Sequence, residues 1–188
     1  MMLSNSRLRL AVAVTAAASA LGAGAALVSA QSKGDVESIT ATLKNAQGAD
    51  VATVEFRKSP RSAVKILVSG RNLPPGFHGF HVHETGLCEG PTFMSAKGHL
   101  KNDGQSHGAH KGDFPILLVK RDGTVSARSE TDTFGFETLK DMDGSAVMIH
   151  ALPDNFGNIP PRYAPNGTDQ TTKDTGDSGG RIACGVIR

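Results

Sequence analysis

In the run Gly76-Phe77-His78-Gly79-Phe80-His81-Val82-His83, two histidines stand two residues apart in a segment that alternates like a strand. Side chains at i and i+2 leave the same face, so His81 and His83 place two imidazoles on one rigid surface, the beginning of a metal clamp. His78, Phe80 and Val82 fall on the opposite, apolar face, where His78 reads as a buried, hydrogen-bonded structural residue. Taken alone, His81 and His83 are equally readable as a solvated pair on an exposed strand. Their neighbours shift that balance, because all seven histidines lie between positions 78 and 150 and His99, His107, His110 and Asp113 follow in quick succession. Imidazoles with one carboxylate and no free thiolate suit copper or zinc better than calcium or an iron-sulfur cluster. His150 ends the apolar run Ala146-Val147-Met148-Ile149-His150, and spacing alone reads it as a satisfied core or edge histidine. Asp154, beside Pro153 and Asn155, reads alone as a turn residue.

The elements that must position these residues are strands. Alternation of period two dominates residues 36–44, 49–57, 62–71, 76–83, 114–121, 124–130, 145–151 and 181–187, and Gly, Asn, Asp and Pro mark the turns between them. Eight strands with hairpin connections predict an all-β, antiparallel Greek-key barrel or sandwich. Two segments, 84–113 and 154–180, are long, polar and rich in glycine. Loops of that length inside a compact domain are usually functional, and both are candidate walls of a site.

Composition narrows the setting. Arg7 and Arg9 precede an apolar run over 10–28 that ends in Val28, Ser29 and Ala30, which reads as a secretory signal over residues 1–30 cleaved after Ala30, the alternative being an uncleaved membrane anchor of the same length. No membrane attachment is expected beyond that segment. It holds two of the 20 Lys and Arg and none of the 18 Asp and Glu, so the remaining 158 residues are formally neutral. The basic balance of the whole chain therefore gives no support to nucleic-acid binding. One domain, residues 31–188, fits that length. In a chain addressed to an oxidising compartment, Cys88 and Cys184 read by default as one disulfide, the alternative being two free thiols or a thiolate ligand.

On residues 79–84 (Gly, Phe, His, Val, His, Glu), on Gly112 and Asp113 after His110, and on residues 179–186 (Gly, Gly, Arg, Ile, Ala, Cys, Gly, Val), the sequence resembles the copper,zinc superoxide dismutases of bacterial type. The resemblance covers most of the chain after the signal and implies an eight-stranded Greek-key barrel. It implies one copper per subunit on His81, His83, His99 and His150, and one zinc on His99, His107, His110 and Asp113, with His99 bridging the two. Asp154 matches an aspartate that accepts hydrogen bonds from one ligand of each metal, and Cys88 and Cys184 match the family's disulfide. Arg181 matches an arginine at the mouth of the copper site that attracts superoxide, alongside Lys173 and Thr175. The implied activity is dismutation of superoxide to dioxygen and hydrogen peroxide, with His99 and Arg181 as catalytic residues. It would protect the cell exterior from a secreted, periplasmic or envelope position.

Two departures stand out. Only Gly108 and Ala109 separate His107 from His110, where the family has a longer insert, which leaves His107 also readable as a solvated loop residue. Residues 158–166, with Pro160, Pro161 and Pro165, have no counterpart in members with short loops and resemble the version in secreted actinobacterial relatives. Three other readings compete: a copper carrier that does not turn over, a blue-copper electron carrier, and a β-domain with a decayed site. Oligomeric state, a homodimer included, is not fixed by the sequence.

Overall fold

The computed structural model describes residues 36–188, so the signal reading and the start of the domain lie outside the described residues. Among the described residues nine strands form: β1 (Ser38–Asn45), β2 (Asp50–Lys58), β3 (Val64–Gly70), β4 (Gly76–His78), β5 (Phe80–His83), β6 (Leu117–Val119), β7 (Val125–Thr131), β8 (Ala146–His150) and β9 (Arg181–Val186). Seven make one curled antiparallel sheet in the order β5-β8-β9-β1-β2-β3-β7, and β4 pairs with β6 in a small second sheet. β3 pairs with β7 rather than β4, and β5 with β8 rather than β6, the long returns of a Greek key.

The alternation seen in the sequence is the alternation of burial. Ile39, Ala41 and Leu43 of β1 point inward between exposed neighbours and meet Val54, Phe56, Val64 and Ile66 in one core. β5 and β8 differ, because every residue in them is buried. One face of this pair, Phe80, Val82, Val147 and Ile149, belongs to the core. The other face carries His81, His83 and His150, roofed by the two long loops.

One expected strand is two. Residues 76–83 break at Gly79, whose N–H donates to the Leu152 carbonyl (2.8 Å) and whose carbonyl accepts from His150 N–H (2.9 Å). The break lets β4 pair with β6 while β5 pairs with β8. A side chain at Gly79 would begin 2.6 Å from Ser178 Cβ, so the close approach requires glycine. The strand expected over 114–121 shrinks to Leu117–Val119, because Pro115 cannot donate to a ladder.

The loop over 154–180 holds an unexpected short helix, α1 (Gln170–Thr175). Asp169 caps it by accepting from Thr172 N–H (2.9 Å), and Gly176 ends it in the left-handed conformation (φ 58°). Both signals stand in the sequence, but six residues carry too little periodicity to declare a helix.

Cys88 and Cys184 form the disulfide, tying the first long loop to β9 across a sequence separation of 96 residues. Beneath it, Phe93, Ala96, Ala146 and Met148 form a small apolar cluster that seats the 3-10 turn Met94–Ala96. Replacing both cysteines by Ala is expected to cost about 4 to 5 kcal/mol on the chain-entropy account. Chemical denaturation of the double variant checks this.

Candidate metal centre

Strand parity puts His81 and His83 on the loop-facing side of β5, both with side chains wholly or nearly inaccessible. The neighbouring strand adds His150, and a bulge sets its partner. Ile149 pairs with Ala183 and His150 with Arg181, which leaves Ile182 unpaired and turns Arg181 toward the histidine face. His99 arrives from the first loop through an isolated bridge to His83, and Asp113 through one to His81.

The hydrogen bonds fix which nitrogen of each ring is free. His83 Nδ1 donates to the Lys97 carbonyl (3.0 Å) and His150 Nδ1 to the Gly179 carbonyl (3.1 Å). In neutral rings this leaves both Nε2 atoms as bare lone pairs, yet they face one another at 3.4 Å. Two bare lone pairs repel unless a cation lies between them. His81 Nε2 donates to Asp154 Oδ2 (2.6 Å), which leaves Nδ1 buried without a partner, and His99 Nε2 is buried without one too. Ligand atoms of His81, His83, His99 and His150 all lie within 4.8 Å of one another. Four nitrogen acceptors, three of them oriented by carbonyls or a carboxylate, are a donor set that fits copper.

A second set adjoins the first. Asp113 Oδ2 accepts from Gly108 N–H (2.7 Å) and His110 N–H (3.0 Å), leaving Oδ1 to face inward. Around that oxygen stand His99 Nδ1 at 3.2 Å, His107 Nδ1 at 3.3 Å and His110 Nδ1 at 3.4 Å. A tetrahedron of zinc bonds near 2.0 Å has edges of about 3.3 Å, so the spacing fits a zinc ion. The remaining nitrogens are engaged as metal ligands require, His107 Nε2 with Asp154 (2.8 Å) and His110 Nε2 with the Gln105 carbonyl (3.2 Å). On this side the four residues whose ligand atoms all lie within 4.8 Å of one another are His81, His99, His107 and Asp113, with His81 in the place of His110. His81 spends Nε2 on Asp154 and has only Nδ1 left, which the first set claims, whereas His110 Nδ1 faces Asp113 Oδ1 with no other partner. His107 is therefore not a solvated loop residue. Its short link to His110 closes because Gly108 sits at φ 88° against the Phe156 carbonyl, where a Cβ would come to 2.2 Å.

Burial sets the charge states. Desolvation lowers His81, His99 and His150 to about 4, and His83 well below its ordinary value, so all four rings are neutral near pH 7. Copper uptake is expected to hold from roughly pH 7 to pH 5 and to fail as the pH nears 4, where protons compete for the nitrogens; equilibrium dialysis against pH checks it. At His107 desolvation is outweighed by Asp113 and Asp154, which raise it to about 9. Both carboxyls titrate below the usual range despite burial, because the histidines bond to them.

Asp154 joins the two sets, accepting from His81 and His107 and from Phe156 N–H (2.7 Å). Gly176 lies against this joint, where a side chain would begin 2.0 Å from Asp154 Oδ1 and 2.4 Å from His107 Nε2. Gly176→Ala should therefore lower zinc content by at least about ten-fold, on the scale of losing an outer hydrogen-bond partner, while copper falls less. Metal analysis of the purified variant distinguishes the two.

Arg181 is half-buried, and its guanidinium donates to the Phe93 carbonyl (2.6 Å) and the Lys97 carbonyl. Both acceptors have left-handed φ, 56° and 60°, and Lys97 (ψ −144°) occupies a region natural only to glycine, at a cost of about 1 to 3 kcal/mol. Lys173 and Thr175 lie on α1. The Lys173 carbonyl accepts from His107 N–H (2.8 Å), and the Thr175 hydroxyl donates to the Thr171 carbonyl (2.9 Å). Among the described residues neither side chain hydrogen-bonds to a histidine or to Arg181. His78, as expected, is structural, its ring held between the carbonyls of His150 (2.7 Å) and Pro74 (2.8 Å).

Residues 51–187 match the family model described as "Copper/zinc superoxide dismutase (SODC)". The chain is 42% identical over 168 residues to a "Superoxide dismutase [Cu-Zn]" of Mycobacterium tuberculosis, covering 80% of this chain and 70% of that one. Among solved structures it resembles the Cu/Zn superoxide dismutase from Brucella abortus (TM-score 0.64, 28% identity, 81% of this chain and 100% of that one). It also resembles a SOD-like protein from Bacillus subtilis (TM-score 0.65, 30% identity, 79% of this chain and 97% of that one).

Proposed function

The chain belongs to the copper/zinc superoxide dismutase family, and on that premise we propose that copper is held by His81, His83, His99 and His150, and zinc by His99, His107, His110 and Asp113. The activity is copper-dependent: two superoxide anions and two protons become dioxygen and hydrogen peroxide. The observation that carries the ligand assignment is the set of inward-facing ring nitrogens, each turned toward the metal positions by a hydrogen bond at the opposite nitrogen.

When bound, copper supplies the alternating one-electron chemistry, and zinc supplies none. The chain supplies the rest. Arg181, fixed by two carbonyls and partly desolvated, binds and orients the anion beside the copper-side histidines. His99 would hold copper with Nε2, which is buried without a partner, and zinc with Nδ1, which lies beside Asp113; Nε2 would then be the nitrogen able to carry a proton to the product. Asp154 accepts from Nε2 of His81 and of His107, which turns each Nδ1 toward a metal; zinc would take the place of the proton that His107, raised to about 9, carries near pH 7. Lys173 adds positive charge from α1 to the field that draws the anion inward, and Thr175, at the end of the same helix, is a neutral hydroxyl that borders it.

Metal analysis of the purified protein tests the assignment. One copper and one zinc per chain are expected, with zinc lost from His110→Ala and copper kept. Zinc lost from His81→Ala but kept in His110→Ala would overturn it.

We place the enzyme outside the cytoplasm, where it removes superoxide from the cell exterior. The support is the segment over 1–30, together with a disulfide that persists in oxidising surroundings. Among the described residues no helix is long and apolar enough to cross a membrane. An envelope fraction whose chain begins after Ala30 by mass spectrometry is the expected result; a cytoplasmic chain that keeps Met1 would contradict it. A homodimer is supported by Phe77 and Leu118, register partners on β4 and β6 that are 51% and 56% exposed. Sedimentation of the wild type and of Phe77→Ser tests it; a monomeric wild type would refute it.

A further inference from the structure

We propose that Lys97 is a steering residue for superoxide, the second cation beside Arg181 at the entry to the copper-side histidines; this rests on the dismutase reading above. The Lys97 carbonyl accepts from both His83 Nδ1 and the Arg181 guanidinium. One peptide unit thus touches a copper ligand and the anion-binding arginine, and the side chain it carries is exposed.

Its backbone shows that a lysine here comes at a cost. Lys97 sits at φ 60° and ψ −144°, where glycine is the residue without strain. The next residue, Gly98, needs no such freedom: its φ is not positive, and the first side-chain atom it would carry meets only Glu84 Oε1 at 3.9 Å. The pair Lys97-Gly98 therefore sets the lysine where the backbone wants glycine and glycine where any residue fits. What the lysine adds at that point is charge. Among the described residues its ammonium forms no ion pair, and Glu84, the carboxylate at Gly98, leaves it unpaired.

A charge within a Debye length of the target acts on the encounter rate with a small anion, in proportion to how little salt screens it. In a chain that is neutral after its signal, such local placement decides the field.

The test is the rate constant for superoxide decay, measured by pulse radiolysis across ionic strength on copper-loaded Lys97→Gln, Lys97→Gly and Lys97→Arg, with Lys120→Gln as a distant control. Lys97→Gln and Lys97→Gly should each be roughly two- to five-fold slower than wild type at low salt and converge with it at high salt. Lys97→Arg and Lys120→Gln should match wild type. Copper per chain should be unchanged, and Lys97→Gly should melt higher because its strain is relieved. A Lys97→Gln rate with the wild-type value and salt slope overturns the proposal, as does a slow rate that tracks lost copper. A copper-loaded wild type without dismutation overturns the reading beneath it, which the variants cannot mimic.

Discussion

His83→Ala is expected to fold and to show no dismutation above free buffer, because it loses the copper that the other three histidines cannot retain alone. His83 lies in the middle of β5, fully buried, with Nδ1 held by the Lys97 carbonyl and Nε2 bare. Removing the ring takes one donor from a site of four, and it also frees the carbonyl that Arg181 shares. Metal affinity and anion orientation are lost together, so the fall in rate should exceed about a hundred-fold, beyond the 10- to 100-fold range for an outer partner. Circular dichroism and metal analysis of the same sample make the check. A copper-free variant with native strand content is expected; a variant that keeps its copper and wild-type activity would take His83 out of the ligand set.

The second large effect belongs to Asp154, which touches no metal in the proposed arrangement. Asp154→Ala strands three donors in a buried space, the ring N–H groups of His81 and His107 and the backbone N–H of Phe156. Unsatisfied donors cost about 1 to 3 kcal/mol each, so a loss of several kcal/mol in stability is expected. Asp154→Asn is the sharper probe. Its amide keeps the shape but offers one oxygen to the two rings, so the ring opposite its NH₂ must move its proton to the nitrogen that should bind metal. Loss of about 10- to 100-fold in affinity for copper or zinc is expected. Whichever metal is lost identifies the ring that was inverted, and calorimetric titration of each ion into the apoprotein reads it.

These two residues differ in how far the sequence exposes them. His81 and His83 follow from parity alone, because a strand admits only two faces and Phe80 and Val82 claim one of them. His150 and His99 could be placed only by resemblance, since a single histidine after an apolar run looks the same whether its lone pair meets metal or a carbonyl. Asp154 is harder still, because its role depends on ring nitrogens 73 and 47 residues away along the chain. His107 was ambiguous for a local reason: the two-residue link to His110 closes only with Gly108 held against Phe156 of the other loop.

The fold was legible where burial alternates and illegible where the backbone is special. β1, β2 and β3 bury alternate residues, or nearly so, β7 alternates half-buried with exposed ones after Val125, and their bounds shift by only a residue or two from the alternation. The division at Gly79 depends on Ser178, which lies 99 positions downstream, and on a carbonyl at Leu152. The bulge that brings Arg181 opposite His150 leaves no mark on composition. The strain at Phe93 and Lys97 is equally silent, since neither residue type announces a left-handed φ. What the sequence hides is thus concentrated in the loop residues that hold Arg181 and the zinc side.

The most direct measurement is the decay of superoxide in the presence of protein carrying one copper per chain. The rate should rise in proportion to copper-loaded protein, vanish on copper removal and return on its restoration. A copper-replete sample that decays superoxide no faster than buffer would contradict the central claim and leave a copper carrier in its place.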